Sequence, residues 1–536
     1  MSDLVHDLIF HAARRTPAAE ALVHGPHRLT YAALADAVTH AAGALLACGV
    51  KRRGRVAVYL EKRVENVVAM FGAACAGAVF VPVNPLLKPE QLAYILADCD
   101  VQLLVTSPER LALLGAALAH CPALRTIIVT GAGDSAGNNS GLAAPDGVAL
   151  VGWEPALAAA AHARPAVDTI DADMAAILYT SGSTGKPKGV VLSHRNLVTG
   201  ARSVAAYLEN SAADRILAVL PLSFDYGLSQ LTTAFHAGAA VVLMNYLLPR
   251  DIVRAVAAER ITGLAAVPPL WIELVRQQWP AQSPLRYLTN SGGAMPRPTL
   301  QALRAALPQA SVFLMYGLTE AFRSTYLAPS ELDARPDSIG RAIPNAEVMV
   351  VRADGTPCDA NEPGELVHRG ALVSLGYWND AAKTAERFRA APGQDAALPL
   401  AEMAVWSGDT VRRDDDGFLY FIGRSDDMIK VSGYRVSPTE VEEVLHATRL
   451  AAEVAAFGVP HPALGQAIVI VAVAPAGSAL TPAALVKECQ RRLPGYMVPS
   501  HIALQADALP RNPNGKIDRK QLQSSFATLF ESTPTP

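Results

Sequence analysis

The sequence lacks the devices that hold small or anchored proteins together. Its six cysteines, Cys48, Cys75, Cys99, Cys121, Cys358 and Cys489, are scattered with no C-x-x-C pair. That spacing argues against a disulfide framework and points to reduced thiols, some of them core filler. No run of about 18 apolar residues occurs, so no integral membrane segment is expected. The first residues, Met-Ser-Asp-Leu-Val-His-Asp, are acidic where a secretory leader would be basic, and a cytoplasmic protein is expected. Charged residues make up only 18% of the chain, the net charge is −3 and no basic stripe is visible, so no nucleic-acid partner is expected. The histidines, His194 included, show no metal-ligand spacing, and no structural metal is expected. Internal repeats and low-complexity tracts are absent.

What is present is a long, apolar chain. Its 536 residues are 51% hydrophobic, enough for about three or four folding units with cores that need no staple. Leu4, Val5, Leu8 and Ile9 recur at helical spacing, and Thr16-Pro17 ends that pattern. Buried strands are predicted at Arg55 to Leu60, Ala78 to Val83, Val101 to Thr106 and Thr126 to Thr130. Residues 131 to 148, rich in Gly, Ser, Asn and Ala, read as an exposed connector. A second series follows at Met174 to Tyr179, Ile216 to Pro221, Ala240 to Leu243 and Ser311 to Met315. Alternation with helical segments predicts α/β layers with mostly parallel strands. From Ala346 to Ile422 the texture changes to short strands and turns. A last unit after Arg424 holds a helical pattern at Val441, Val444 and Leu445 and a strand at Ala467 to Val473. The tail beyond Phe530 is expected to be disordered. The expectation is an α/β fold: a large N-terminal portion, residues 1–424, of two α/β subdomains plus a β-rich subdomain, followed by a small mobile C-terminal α+β domain, residues 425–536.

The most informative stretch is Tyr179-Thr180-Ser181-Gly182-Ser183-Thr184-Gly185-Lys186-Pro187-Lys188-Gly189-Val190. Glycines let the backbone turn and present N–H groups to an anion, the hydroxyls add donors, and Lys186 and Lys188 add charge, which suits a polyphosphate. It is not a Walker A loop, because the G-x-x-x-x-G-K-[ST] spacing is missing and Pro187 stands where a magnesium-binding hydroxyl would be.

This string resembles the phosphate-binding signature of the adenylate-forming ligase superfamily, which includes acyl-CoA synthetases, nonribosomal peptide synthetase adenylation domains and luciferases. The resemblance runs from about Thr30 to Lys520, with further motifs in order. Met315-Tyr316-Gly317-Leu318-Thr319-Glu320 is similar to the family's Y-G-x-T-E motif. The resemblance implies that Tyr316 stacks on adenine, Thr319 contacts the α-phosphate and Glu320 holds Mg²⁺, with Thr184 a further magnesium ligand. Asn290-Ser291-Gly292-Gly293-Ala294 resembles the adenine-pocket turn. Trp406-Ser407-Gly408-Asp409 resembles the motif whose Asp binds both ribose hydroxyls. In Gly423-Arg424-Ser425-Asp426-Asp427, Arg424 would contact ribose and phosphate, and Asp426 sits at the hinge position. Lys430-Val431-Ser432-Gly433-Tyr434-Arg435 resembles the loop that enters the site for thioester formation, where Gly433 would line the pantetheine path. Asn514-Gly515-Lys516-Ile517-Asp518-Arg519 resembles the catalytic-lysine motif, in which Lys516 would bridge the attacking carboxylate and the α-phosphate.

Leu222-Ser223-Phe224-Asp225-Tyr226-Gly227 lies where family members begin the acyl pocket. Phe224-Asp225 resembles the pair of amino-acid-activating members, in which the Asp meets the substrate's ammonium group; a capping or turn Asp is the other reading. Arg323 faces the same pocket or lies at the surface. The resemblance thus implies ATP, Mg²⁺, a small carboxylic acid and a thiol acceptor. An acyl-CoA synthetase using CoA is the first reading. A stand-alone ligase loading the phosphopantetheine of an acyl carrier protein is the second, and a non-catalytic nucleotide sensor a distant third.

Overall fold

The computed structural model describes residues 4–131, 144–160, 168–180, 186–395, 397–424, 428–475, 477–510 and 517–531. Three sheets organise them. A seven-stranded sheet runs in the order Ala149–Gly152, Thr126–Val129, Val101–Thr106, Arg55–Tyr59, Val79–Pro82, Met174–Thr180, Lys188–Ser193. Every neighbouring pair is parallel except the last, where Met174–Thr180 turns back on Lys188–Ser193. The strands are Val-, Ile- and Leu-rich, as sheets covered on both faces require.

A fourteen-stranded sheet holds the second parallel series, Ala240–Leu243, Arg215–Ala218, Gly263–Ala266, Tyr287–Asn290 and Ser311–Leu318. Beyond Ser311–Leu318 the pairing becomes antiparallel through Phe322–Leu327, Ser338–Ala342, Leu419–Arg424, Met403–Arg413, Gly364–Gly370 and Ala346–Val351. The β-rich stretch therefore continues the large sheet through the Ser338–Tyr420 pairing. Between the sheets lie the Ala-rich helices Tyr31–Ala47 and Val64–Cys75. Small side chains let them approach closely: a methyl added at Gly72 would sit 2.7 Å from Ala41 Cβ.

The C-terminal unit is a five-stranded sheet with helices Pro438–Thr448 and Pro482–Arg492 packed on it. It rests on the large portion: Gln91 Nε2 donates to Glu440 Oε1 at 3.3 Å, linking a helix of each. All six cysteines are unpaired, four of them buried. Among the described residues no helix is long and apolar enough to cross a membrane. The first helix spans Asp7–Arg15 and buries Leu8, Ile9 and Ala12; Leu4 and Val5 precede it and are buried. Most of the connector, 132–143, and the tail, 532–536, lie outside the described residues.

Candidate active site

The C-terminal ends of both parallel series converge where ligands bind in open α/β sheets. Strand Met174–Thr180 leads into the glycine- and hydroxyl-rich stretch singled out in the sequence and Lys188–Ser193 leads out of it, with Thr180 opposite Lys188. Thr180 Oγ1 is buried with no hydrogen-bond partner among the described residues. Lys186 Nζ leans over the Tyr94 ring, 5.7 Å from its centroid. Lys188 Nζ lies 4.5 Å from the Tyr377 centroid. Burial lowers the Lys188 ammonium to about 8, with nearby Glu320 pulling the other way.

The hairpin Ser311–Leu318 to Phe322–Leu327 carries Tyr316, Gly317, Thr319 and Glu320. Gly317 is required there, because a Cβ would fall 2.3 Å from Phe322 O. Tyr316 stacks on buried His368 at 6.1 Å and 18° and donates its hydroxyl to Asp409 Oδ2. Asp409 faces Arg424 across two paired strands; only the backbone of Arg424 is described. Thr319 and Glu320 are buried in the turn. Glu320 Oε1 accepts the Tyr377 hydroxyl at 2.7 Å, and Oε2 is buried with no hydrogen-bond partner among the described residues. Burial works against a charged Glu320, yet Arg435 and Lys188 hold its carboxyl below the ordinary value. An ionised, buried carboxylate oxygen left open suits a hard, oxygen-seeking cation such as Mg²⁺.

Two glycines meet across the domain boundary. Gly433 (φ +83°) follows Ser432, itself at φ +50°. A Cβ at Gly433 would stand 2.7 Å from Val267 Cγ1, and one at Gly292 3.7 Å from Gly433 O. A cleft of 740 Å³ between the domains is lined by Gly292, Gly293, Ala294, Lys430, Gly433 and Lys520. Lys430 Nζ lies over the Phe421 ring at 5.8 Å. On the other side of Gly433 is a cavity of 580 Å³, walled by Leu220, Phe224, Tyr246, Val267 and Leu270, with Lys62 among its lining residues. Lys62 Nζ donates to Val219 O at 2.9 Å, and burial lowers its ammonium to about 8.

Asp225 is the first residue of helix Asp225–Ala237, with Phe224 at the cap position and no side-chain cap bond. The helix starts hard against the segment that leads into it: a Cβ at Gly227 would be 1.9 Å from Pro221 O. Burial pushes the Asp225 carboxyl above its ordinary value, with Arg323 pulling the other way. Tyr226 is buried, its hydroxyl 2.6 Å from Thr289 Oγ1. Arg323 is only 2% exposed, which removes the surface reading for it.

The structure thus brings together Thr180, Lys186, Lys188, Gly292, Gly293, Ala294, Tyr316, Gly317, Thr319, Glu320, Asp409, Lys430 and Gly433, with Phe224, Asp225, Tyr226 and Arg323 beside them. Ser181, Gly182, Ser183, Thr184, Gly185, Asp426 and Lys516 lie outside the described residues. Sequence reasoning missed Tyr377 and His368, which touch Glu320 and Tyr316. Neither belongs to a spaced motif, and only the sheet pairing brings them in.

Residues 9–378 match the model of the AMP-binding enzyme family, and residues 440–516 match the AMP-binding enzyme C-terminal domain. The chain is 32% identical to tyrocidine synthase 2 of Brevibacillus parabrevis over 95% of its own length, but spans only 13% of that much longer protein. It is 31% identical to an L-proline--[L-prolyl-carrier protein] ligase of Pseudomonas fluorescens, covering 96% of this chain and 98% of that one. Among solved structures it resembles the o-succinylbenzoate CoA synthetase of Bacillus subtilis, with a TM-score of 0.80 and 25% identity over 98% of each chain. The chain belongs to the AMP-binding, adenylate-forming ligase family.

Proposed function

We propose that the protein activates a small carboxylic acid with ATP as an acyl-adenylate and transfers the acyl group to the thiol of coenzyme A. In the first step a carboxylate oxygen bonds to the α-phosphorus and the bond to the β-phosphate bridge breaks, releasing pyrophosphate. In the second, the thiol sulfur bonds to the acyl carbon, AMP leaves and the thiol proton goes to solvent. Tyr316, Asp409, Arg424 and the Gly292–Ala294 turn hold the nucleoside. Thr180 to Gly185, Lys186 and Lys188 hold the phosphates, and Thr319 the α-phosphate. Glu320 with Thr184 would hold Mg²⁺, which supplies charge neutralisation on the phosphates when bound. Lys516 brings two anions together, where electrostatic preorganisation matters most. Reorientation about Asp426 exchanges Lys516 for the Gly433 loop.

The single observation carrying this reading is the interdomain cleft that reaches Gly433, with the Phe224 cavity on the far side of the same residue. Gly433 lines both the cleft and the cavity, and a passage past it, where no side chain stands in the way, suits a pantetheine arm. Lys430 and Lys520 on the cleft suit the phosphates of a free nucleotide carrier. The second reading, loading of a carrier protein, is favoured by the Phe224-Asp225 pair and by the carrier-protein ligase relative.

ATP–pyrophosphate exchange with a panel of acids, followed by acceptor trials with CoA and with a phosphopantetheinylated carrier, tests this. Thioester formed on CoA is the expected result. Thioester formed only on the carrier overturns the CoA reading. No exchange with any acid favours a nucleotide sensor.

A further inference from the structure

Arg323 carries an unused binding edge. A guanidinium offers Nε–H and one Nη2–H side by side, a fork that matches a carboxylate with two parallel hydrogen bonds. Other arginines of this chain fill that edge. Arg195 places Nε and Nη2 on Asp171 at 2.8 and 2.9 Å. Arg286 does so on Asp214 at 3.1 and 3.0 Å, and Arg519 on Glu442 at 3.1 and 2.6 Å. Arg323 is more buried than any of these, yet its Nε and Nη2 have no hydrogen-bond partner among the described residues. Its Nη1 reaches Met315 Sδ, at 3.9 Å.

The surroundings fix the group without filling its fork. The guanidinium lies over the Tyr226 ring at 5.0 Å and the Phe322 ring at 4.9 Å. Asp225 acts on it through space, without filling the fork. A buried cation with unfilled donors is costly unless an anion meets it. The unfilled fork stands beside Asp225 and Tyr226; Phe224, the residue before them in the chain, lines the acyl cavity. Nothing in the ligase chemistry itself calls for a cation there: the nucleotide phosphates belong to the loop after Thr180.

Building on the ligase reading above, we propose that Arg323 receives a second oxyanionic group on the acyl part of the substrate. The acid activated by this protein is then a dicarboxylate or an equivalent doubly anionic acid. Arg323 binds the end that does not react, and the other carboxylate is left for the α-phosphate. The tyrosine and phenylalanine rings hold the fork in place, so the substrate is aligned by two parallel bonds.

The test is acid-dependent ATP–pyrophosphate exchange by the full chain with length-matched pairs: butyrate against succinate, valerate against glutarate, propionate against malonate. At least one dicarboxylate is expected to exceed its partner in kcat/KM by about a hundredfold or more, within the range for leaving one partner of a buried, hydrogen-bonded charge pair unmet. Arg323→Met should lower the dicarboxylate-to-monocarboxylate ratio of kcat/KM by about a hundredfold. Arg323→Lys, which keeps the charge and loses the fork, should fall between. Equal exchange within every pair, or preference for the monocarboxylates, overturns the proposal while leaving the ligase reading intact. A loss in Arg323→Met shared equally by both members of a pair also overturns it, as a structural role would give that result. Exchange with no acid at all overturns the ligase reading itself. Should both variants fail to fold, the comparison on the parent protein still decides.

Discussion

Gly433→Ala is the sharpest perturbation of the passage between acceptor and acyl group. The residue sits at φ +83°, and the new methyl would stand 2.7, 3.0 and 3.2 Å from Val267 Cγ1, Cβ and Cγ2. A left-handed backbone costs an L-residue roughly 1–2 kcal/mol. Forcing a methyl into a packed contact adds roughly 1–3 kcal/mol. Together, about 2–5 kcal/mol lowers the population of the docked arrangement at least about thirtyfold, at 1.36 kcal/mol per decade. The methyl would also narrow the passage that the thiol must use. Adenylate formation does not use the passage, so the two half-reactions should separate. Acid-dependent ATP–pyrophosphate exchange should stay within about threefold of the parent, and thioester formation, followed by loss of free thiol, should fall at least about thirtyfold. Thioester formation at the parental rate, or an equal fall in exchange, would refute the reasoning.

Three further predictions follow from the charges around the site and the fold. Burial sets the Lys188 ammonium at about 8, so it is charged at pH 7 and loses its proton as pH rises; kcat/KM for ATP should fall with an apparent pKa near 8, and Lys188→Arg should move that fall beyond the measured range. A profile flat to pH 9.5 in the parent contradicts this. Tyr377→Phe removes the donor to Glu320 Oε1 at 2.7 Å and should raise the magnesium concentration needed for half-maximal activity by about tenfold, the worth of a hydrogen bond to a charged group; an unchanged requirement argues against Glu320 as the cation ligand. Burial opposes charge on Asp173, but Arg52 and Arg53, at 2.5 and 2.8 Å, hold its carboxyl well below the ordinary range. Its stabilisation is present above the unfolded value and lost as pH falls, so Asp173→Asn should lower Tm at pH 7 by an amount that shrinks below about pH 4. A gap equal at pH 3 and pH 7 rules that linkage out.

Much of the fold was legible because apolar runs bounded by turn residues mark buried strands. Val101–Thr106 and Ala240–Leu243 lie where the hydrophobic pattern places them. Strand ends were less legible: Ser311–Leu318 runs three residues past the apolar run, because its last residues pair with Phe322–Leu327 in a hairpin that no local pattern announces. The joining of the β-rich stretch to the large sheet rests on pairs such as Ser338 with Tyr420, more than 80 residues apart. At the site, short motifs carried Tyr316, Glu320 and Asp409, since each chemistry sits within a few residues. Tyr377, His368 and the burial of Arg323 were not legible, because each depends on which distant ring or carboxylate the sheet brings beside it. A lone arginine after a glutamate reads equally as surface or core; only the packing of Tyr226 and Phe322 around it decides.

The central claim is that this chain makes an adenylate and hands its acyl group to a thiol. The most direct measurement is product stoichiometry with ATP, CoA and each member of an acid panel. The account predicts that AMP, pyrophosphate and thioester appear in equal amounts with at least one acid and that all three vanish without acid. Release of ADP and phosphate in their place, or AMP formed at the same rate with no acid present, would contradict it.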